Sequence, residues 1–126
     1  MATIYTGTYR NHSIRIDNSI SQCKLYIDGK ERDIIKGIKI REGANILRST
    51  ISDGNEDVIV EVIIETIILE KALFRKVWDY GYSIKINGDL FYSGLFNSLL
   101  QKKYGEKMQK GIAEGLGKMN LKKLKL

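Results

Sequence analysis

Few residues of this chain are suited to acid–base or nucleophilic chemistry. His12 is the only histidine and Cys23 the only cysteine. A neighbouring cation such as Lys24 lowers the pKa of a thiol, but an unpaired cysteine is more often a small buried apolar side chain. His12 falls in a predicted turn, with no partner indicated by the sequence. These observations predict a protein that is not an enzyme.

The acidic residues do not form a recognisable metal or catalytic pattern. Glu61 and Glu65 share a face about 13 Å apart on a strand, or about 6 Å apart on a helix, and neither spacing indicates a partner. The stretch "DGNEDV" (53–58) begins like a calcium loop, but Val58 and Ile64 stand where that loop needs glycine and glutamate. The spacing of Cys and His does not suit zinc. We therefore expect no metal and no cofactor.

Aromatic residues suggest binding chemistry more strongly. The stretch "VWDYGY" (77–82) is the densest aromatic group of the sequence. Its rings can form a stacking platform for a base, or a contact for a protein, and packing in the core is the plain alternative. We predict a ligand site made of this patch and of lysines that follow it: Trp78, Tyr80, Tyr82, Lys102, Lys103, Lys107 and Lys110.

Positive charge is concentrated at the C-terminal end. From residue 101 onward the chain holds eight Lys and two acidic residues, which equals the formal net charge of +6 of the whole chain. Lys acts as a point charge and suits non-specific, salt-dependent contact with phosphate, whereas base-specific contacts favour Arg, which this segment lacks. We predict a β-rich domain over residues 1–97 and a basic helical tail over residues 98–126.

Apolar residues recur at every fourth position in this tail. The stripe spirals around a helix and several glycines weaken that helix, so the helix needs a surface to pack on. It can dock on its own domain, or it can pair with another copy while the lysines cover the rim. A membrane surface is disfavoured because the helix has four glycines and no Trp. The predicted self-association stripe is Phe96, Leu100, Tyr104, Met108, Ile112 and Leu116.

Residues 1–94 show the signals of antiparallel strands and tight turns. Asp28-Gly29 and Asn87-Gly88 are each flanked by alternating residues, which is a strong hairpin signal. The units "LYIDGKER" (25–32) and "IKINGDLF" (84–91) follow the same pattern. Either an internal duplication or the convergence of good hairpin turns on the same residue types explains this likeness.

The segment from residue 58 to residue 79 is harder to assign. β-Branched residues predict a strand for "VIVEVII" (58–64). "TIILEKALFRKVWD" (66–79) does not alternate, and as a helix it would gather its large apolar residues within about half of the circumference. We therefore favour a helix over residues 66–79, with a continued strand as the alternative.

The segments "HSIRID" (12–17), "KLYIDGKE" (24–31) and "YSIKINGDLFYSGL" (82–95) resemble the Fas apoptotic inhibitory molecule family in turn chemistry and strand spacing. That family is all-β. The resemblance therefore implies strands throughout residues 58–86, against the helix favoured above. It implies no function for this chain.

Together these patterns predict one mainly β domain of α+β class. Antiparallel hairpins form a sandwich-like meander, with one central helix and a C-terminal amphipathic helix. With one cysteine and no signal peptide, we expect a cytoplasmic location; the abundant Ile and Lys indicate an AT-rich genome, such as that of a low-GC bacterium or its phage. We predict a small binding or adaptor protein that forms a homo-oligomer through its tail or binds another protein. The alternative is a binder of a nucleotide or nucleic acid, such as a phage-encoded sequestering protein.

Overall fold

In the part of the chain that the structure describes, the protein is a two-layer β structure with one helix. The computed structural model describes residues 1–37, 45–73 and 75–113. Two four-stranded antiparallel sheets follow the chain in the orders β1-β2-β3-β4 and β5-β6-β7-β8, which confirms the predicted mainly β class. The elements are β1 Ala2–Tyr9, β2 His12–Asn18, β3 Gln22–Ile27, β4 Lys30–Lys36, β5 Ile46–Asp53, β6 Glu56–Ala72, β7 Arg75–Ile86, β8 Asp89–Leu95 and α1 Ser98–Ala113.

Both predicted Asx-Gly hairpins are present. Asp28 and Gly29 have φ values of 53° and 78°, and Asn87 and Gly88 have values of 51° and 84°. Positive φ at both central residues is what the tight two-residue hairpin turn requires. The turns therefore connect β3 to β4 and β7 to β8 with the twist that antiparallel strands need.

The two sheets pack face to face around one apolar core. Alternate residues of each strand point inward, as strand geometry requires, and β-branched and leucine side chains dominate the interface. The core contains Ile14, Ile16, Cys23, Leu25 and Ile27 from the first sheet and Leu47, Ile51, Val58, Val60, Val62, Ile64, Tyr82, Ile84 and Ile86 from the second.

The helix predicted for residues 66–79 is wrong. This segment forms the distal parts of β6 and β7, which pair at Thr66↔Tyr80 and Ile68↔Trp78. The pairing of β5 with β6 reaches only Ile63. Residues 65–72 and 75–80 therefore form a two-stranded ribbon, which extends about 25 Å past the pairing of β5.

A bulge explains why the alternation was not visible in the sequence. The register of β6 against β7 shifts between Ile68 and Glu70. The additional residue, Leu69, is buried with Ile67. The bulge thus places Leu69 and Glu70 on the same side of the ribbon, and this interruption of the two-residue period resembles helical spacing.

Helix α1 covers the outer face of the ribbon, opposite the face that continues into the sandwich core. Ile67, Leu69, Leu95 and Tyr104 form a second small core. The Tyr104 hydroxyl donates a hydrogen bond to Glu70 Oε2 at 2.6 Å. This packing supplies the surface that a glycine-containing helix needs. No helix among the described residues is long and apolar enough to cross a membrane.

Candidate functional site

One face of β7 carries a row of side chains that emerges from the core into solvent. Strand alternation places Lys76, Trp78, Tyr80 and Tyr82 on this face. Tyr82 is 1% exposed, whereas Trp78 is 49% exposed, and Lys76 is exposed. The first sheet therefore covers the face at Tyr82 and leaves it open along the ribbon. We call Lys76, Trp78 and Tyr80 the β7 row.

Aromatic contacts connect the row to the core. The Trp78 and Tyr80 rings meet edge to face, with centroids 5.5 Å apart and an interplanar angle of 90°. Phe96 lies 6.0 Å from Tyr80 and 6.2 Å from Tyr82, measured between ring centroids. Such pairs stabilise by about 1 kcal/mol beyond the burial of their area. The row is thus held in place by its contacts with the rings of Phe96 and Tyr82.

Tyr82 ties the two sheets together and is not open to a ligand. Its hydroxyl donates a hydrogen bond to the carbonyl oxygen of Ile4 at 3.0 Å, and burial raises the pKa of Tyr82. A side chain at Gly94 would collide with the Tyr82 ring. Of the three aromatic residues predicted to bind ligand, Trp78 is therefore half exposed and Tyr80 partly exposed, whereas Tyr82 is buried.

The start of α1 is fixed at the base of the ribbon. Asp79 accepts a hydrogen bond from the Asn97 backbone N–H at 2.7 Å, and Asn97 Oδ1 accepts bonds from the backbone N–H groups of Leu99 and Leu100 at 2.9 and 3.1 Å. The second set is an N-cap, which stabilises a helix by about 1 kcal/mol. Burial raises the pKa of Asp79. Gly81 leaves room here for the Ile67 side chain, which an added Cβ would meet.

The predicted lysines do not lie beside the aromatic rings. Lys102, Lys103 and Lys107 are exposed on α1, which packs on the opposite face of the ribbon from the β7 row. Lys103 Nζ is 5.2 Å from the centroid of its neighbour Tyr104. The side chain of Lys110 lies outside the described part of the chain. The structure therefore separates the two halves of the predicted ligand site.

Part of the predicted self-association stripe packs inside the chain. Tyr104 is buried and Leu100 is partly buried against the second core. The Phe96 ring contacts the rings of Tyr80 and Tyr82. Leu99 is 76% exposed. The side chains of Met108 and Ile112, and all of Leu116, lie outside the described residues.

Lys76 belongs to the candidate site but was not among the residues predicted from the sequence. In a helix over residues 66–79, Lys76 and Trp78 would lie about 200° apart and would not share a face. In a strand Lys76, Trp78 and Tyr80 lie at i, i+2 and i+4 and must share one. The signal was therefore present in "KVWDY", but the wrong period concealed it.

Comparison with known proteins identifies no relative. No family model, curated protein or solved structure matches the chain. Strands β6 and β7, which cover residues 58–72 and 75–86, agree with the all-β fold implied by the resemblance described above.

A charged cluster occupies the opposite end of the sandwich, at the hairpin turns. His12 Nδ1 lies 2.7 Å from Asp28 Oδ2, and His12 Nε2 lies 3.6 Å from Asp53 Oδ1. Arg10 pairs with Glu56 at 2.8 Å. The hydrogen bond with Asp28 raises the pKa of His12, and the same bond lowers the pKa of Asp28. These exposed pairs connect the turns of the two sheets.

Cys23 is a core residue. It is fully buried, and burial raises the pKa of its thiol to about 12. Because the thiolate is the nucleophilic form, a thiol with this pKa is unreactive near neutral pH. Among the described residues, no group of three or more His, Cys, Asp or Glu side chains is arranged to hold a metal ion.

Proposed function

We propose that the protein is a non-enzymatic binding module and that the β7 row is its contact surface. The observation that carries this proposal is the exposure of Trp78 at 49%, against 1% for Tyr82 on the same face of the same strand. Trp and Tyr presented on a rigid element are typical anchors of binding surfaces. Aromatic packing already orders these side chains. Binding a partner therefore costs less conformational entropy than it would on a surface of flexible side chains.

Charge favours an anionic partner. Lys76 stands in the row. The acidic side chains nearby turn the other way, since Glu70 accepts a hydrogen bond from Tyr104 on α1 and Asp79 accepts one from Asn97. Within the described ribbon, the row therefore combines a cation with aromatic rings on a face from which the Glu70 and Asp79 carboxylates are turned away. The excess charge of the tail adds a long-range attraction for anions.

The titratable groups support binding over catalysis. The Cys23 thiol is buried and protonated, and His12 is partly exposed and paired with Asp28. General acid–base chemistry needs a group poised within reach of a bound substrate, and neither of these groups lies on the ribbon. The open face along β7 is suited to contact with a partner rather than to enclosing a reaction.

Trp78 is the only Trp of the chain, so intrinsic Trp fluorescence reports the row directly. We expect inorganic polyphosphate to change this fluorescence in a saturable, salt-sensitive way. Lys76→Glu should weaken the response strongly. Lys30→Glu, at the β3–β4 turn on the opposite end of the sandwich, makes the same change in net charge and should weaken it little.

Two results would contradict the proposal. Polyphosphate that binds without changing Trp78 fluorescence would place anion binding elsewhere, for example on the α1 lysines. Equal losses in Lys76→Glu and Lys30→Glu would mean that net charge alone attracts the anion.

Self-association through the tail stays a second proposal. The exposed side chain of Leu99 on α1 favours it, whereas Leu100 and Tyr104 are already used within the chain. Contact between copies would then depend on Leu99 and on the later stripe residues Met108, Ile112 and Leu116. The test is the light-scattering mass of the full chain and of an Ile112→Glu, Leu116→Glu variant, each at low and high salt. An oligomer that persists at high salt and is lost in the variant is the expected result, because apolar burial is not screened.

A further inference from the structure

We infer that the partner of the β7 row is a single-stranded nucleic acid; this inference rests on the proposed function. The row offers the two kinds of contact on which sequence-tolerant single-strand binding depends. Those contacts are aromatic faces for the bases and a cation for the backbone.

The ring geometry suits one planar group. The Trp78 and Tyr80 rings meet edge to face at 90°, with centroids 5.5 Å apart, so the two rings bound a right-angled corner. A planar base that stacks on one ring meets the other ring edge to face, and both arrangements are favourable for aromatic pairs. Ile68, opposite Trp78 across the ribbon, adds apolar contact beside this corner.

The position of the cation suits a phosphate next to that base. Lys76 and Trp78 are two residues apart on one strand face, so their Cα atoms lie about 6.6 Å apart. A lysine side chain spans this distance easily. Its ammonium group can therefore contact a backbone phosphate adjoining the stacked base. Lys, unlike Arg, provides a point charge that does not select a base.

The openness of the face favours a polymer over a free nucleotide. Small-ligand sites are concave and bury most of the ligand surface, whereas the β7 row lies on the face of a two-stranded ribbon with Trp78 half exposed. One nucleotide would stay largely in solvent there. A strand gains affinity from successive units and from the field of the basic tail. Duplexes are disfavoured because their base faces are already stacked inside the helix.

The test uses the full chain and a fluorescein-labelled 15-nucleotide oligothymidine, followed by anisotropy. Two substitutions of Trp78 separate stacking from simple apolar contact. Trp78→Leu keeps apolar bulk but removes the aromatic face, and should weaken binding about tenfold. Trp78→Phe keeps an aromatic face and should stay within about threefold of the native affinity. The unfolding midpoint of each variant checks that the ribbon is intact.

The remaining probes separate this inference from the proposed function. Equal affinity of Trp78→Leu and Trp78→Phe for oligothymidine would overturn the single-strand inference, and so would displacement of the oligonucleotide by ATP at an equal nucleotide concentration. If polyphosphate still changes Trp78 fluorescence in that case, the anion-binding row stands without its nucleic-acid partner. If neither polyphosphate nor oligothymidine acts on Trp78, both are overturned.

Discussion

The two sheets of the molecule follow the same plan and differ chiefly in one hairpin. Each is a four-stranded antiparallel meander, and each has an Asx-Gly turn between its third and fourth strands. The two turns even make the same hydrogen bonds. Asp28 accepts from the Ser13 N–H at 2.9 Å while its own N–H donates to the Ser13 carbonyl at 3.0 Å. In the same way, Asn87 Oδ1 accepts from the Ile59 N–H at 2.9 Å, and the Asn87 N–H donates to the Ile59 carbonyl at 2.9 Å.

The difference lies between the second and third strands. In the first sheet β2 ends at Asn18 and β3 begins at Gln22, whereas in the second sheet β6 and β7 continue into the ribbon. The sandwich core is complete without this extension. Helix α1 covers the outer face of the extension, and Trp78 and Lys76 are exposed on its inner face. The two four-stranded meanders thus enclose the main apolar core, while the added ribbon carries the candidate binding surface.

This correspondence also bears on the likeness of residues 25–32 and 84–91. They occupy the same place in the two sheets, and their turn residues brace the second strand in the same way. An internal duplication predicts this arrangement. Convergence of tight turns explains the turn residues but not their equivalent place in two successive meanders.

The largest effect should distinguish the sandwich core from the ribbon core. Leu25→Ala removes a fully buried side chain from the sandwich and should lower the free energy of unfolding by about 3 kcal/mol. Leu69→Ala, in the ribbon core, should instead act locally. We expect faster hydrogen exchange in β7 residues 75–80 and in α1, with protection in β2 and β3 unchanged. Denaturant titration and amide exchange measure the two effects.

Leu99→Ala is the matched control, because Leu99 lies on α1 but is exposed. Its effect on stability should stay within about 0.5 kcal/mol. If Leu69→Ala accelerates exchange throughout both sheets, the ribbon and the sandwich unfold as one unit and the proposed division between them fails.

Alanine substitutions at the equivalent positions of the two turns should reduce stability equally. Asp28→Ala and Asn87→Ala each remove a brace and place alanine at positive φ, so each should cost about 2 kcal/mol. Asn87→Asp keeps both the accepting oxygen and the tolerance of this conformation, and its cost should be below about 0.5 kcal/mol. Thermal unfolding of the three variants measures this. A large loss of stability in one alanine variant and none in the other would show that the two turns are not equivalent.

The smallest expected effect on stability comes from a charge that only one of the two turns carries. Asp28 pairs with His12, whereas the equivalent residue Asn87 is uncharged. The pKa of His12 is raised from 6.5, so its stabilising contribution is present below pH 6.5 and is lost as pH rises through the raised value. The pKa of Asp28 is lowered from 3.8, so its contribution is present above pH 3.8 and is lost as pH falls through the lowered value. The pair therefore stabilises most between these two ordinary values.

Melting temperatures at pH 5.5 and pH 8.5 test this. The native chain should lose slightly more stability between these pH values than His12→Gln, which cannot titrate. The difference should be small and should shrink with salt, because the His12–Asp28 hydrogen bond lies at the protein surface. The same pH dependence in His12→Gln would exclude the His12–Asp28 pair as its cause.

Features that depend on local chemistry follow from the amino-acid sequence alone. Asp28-Gly29 and Asn87-Gly88 set two hairpins because few residues tolerate positive φ. The alternating β-branched strands set the mainly β class, and the four-residue stripe predicted helix α1. The concentration of lysines beyond residue 100 is likewise a property of the sequence alone.

Tertiary structure decided the rest, because partners distant in the chain select among local alternatives. Residues 66–79 are apolar on two faces, and a helix or a strand suits them locally. Pairing of β6 with β7 satisfies the backbone hydrogen bonds of both strands, and α1 buries Ile67 and Leu69, so the strand is selected. That selection places Lys76 beside Trp78 and Tyr80, buries Tyr82 beneath the first sheet, and sends the α1 lysines to the opposite face. The candidate site follows from which faces the neighbouring elements cover, and that is a property of the assembled fold.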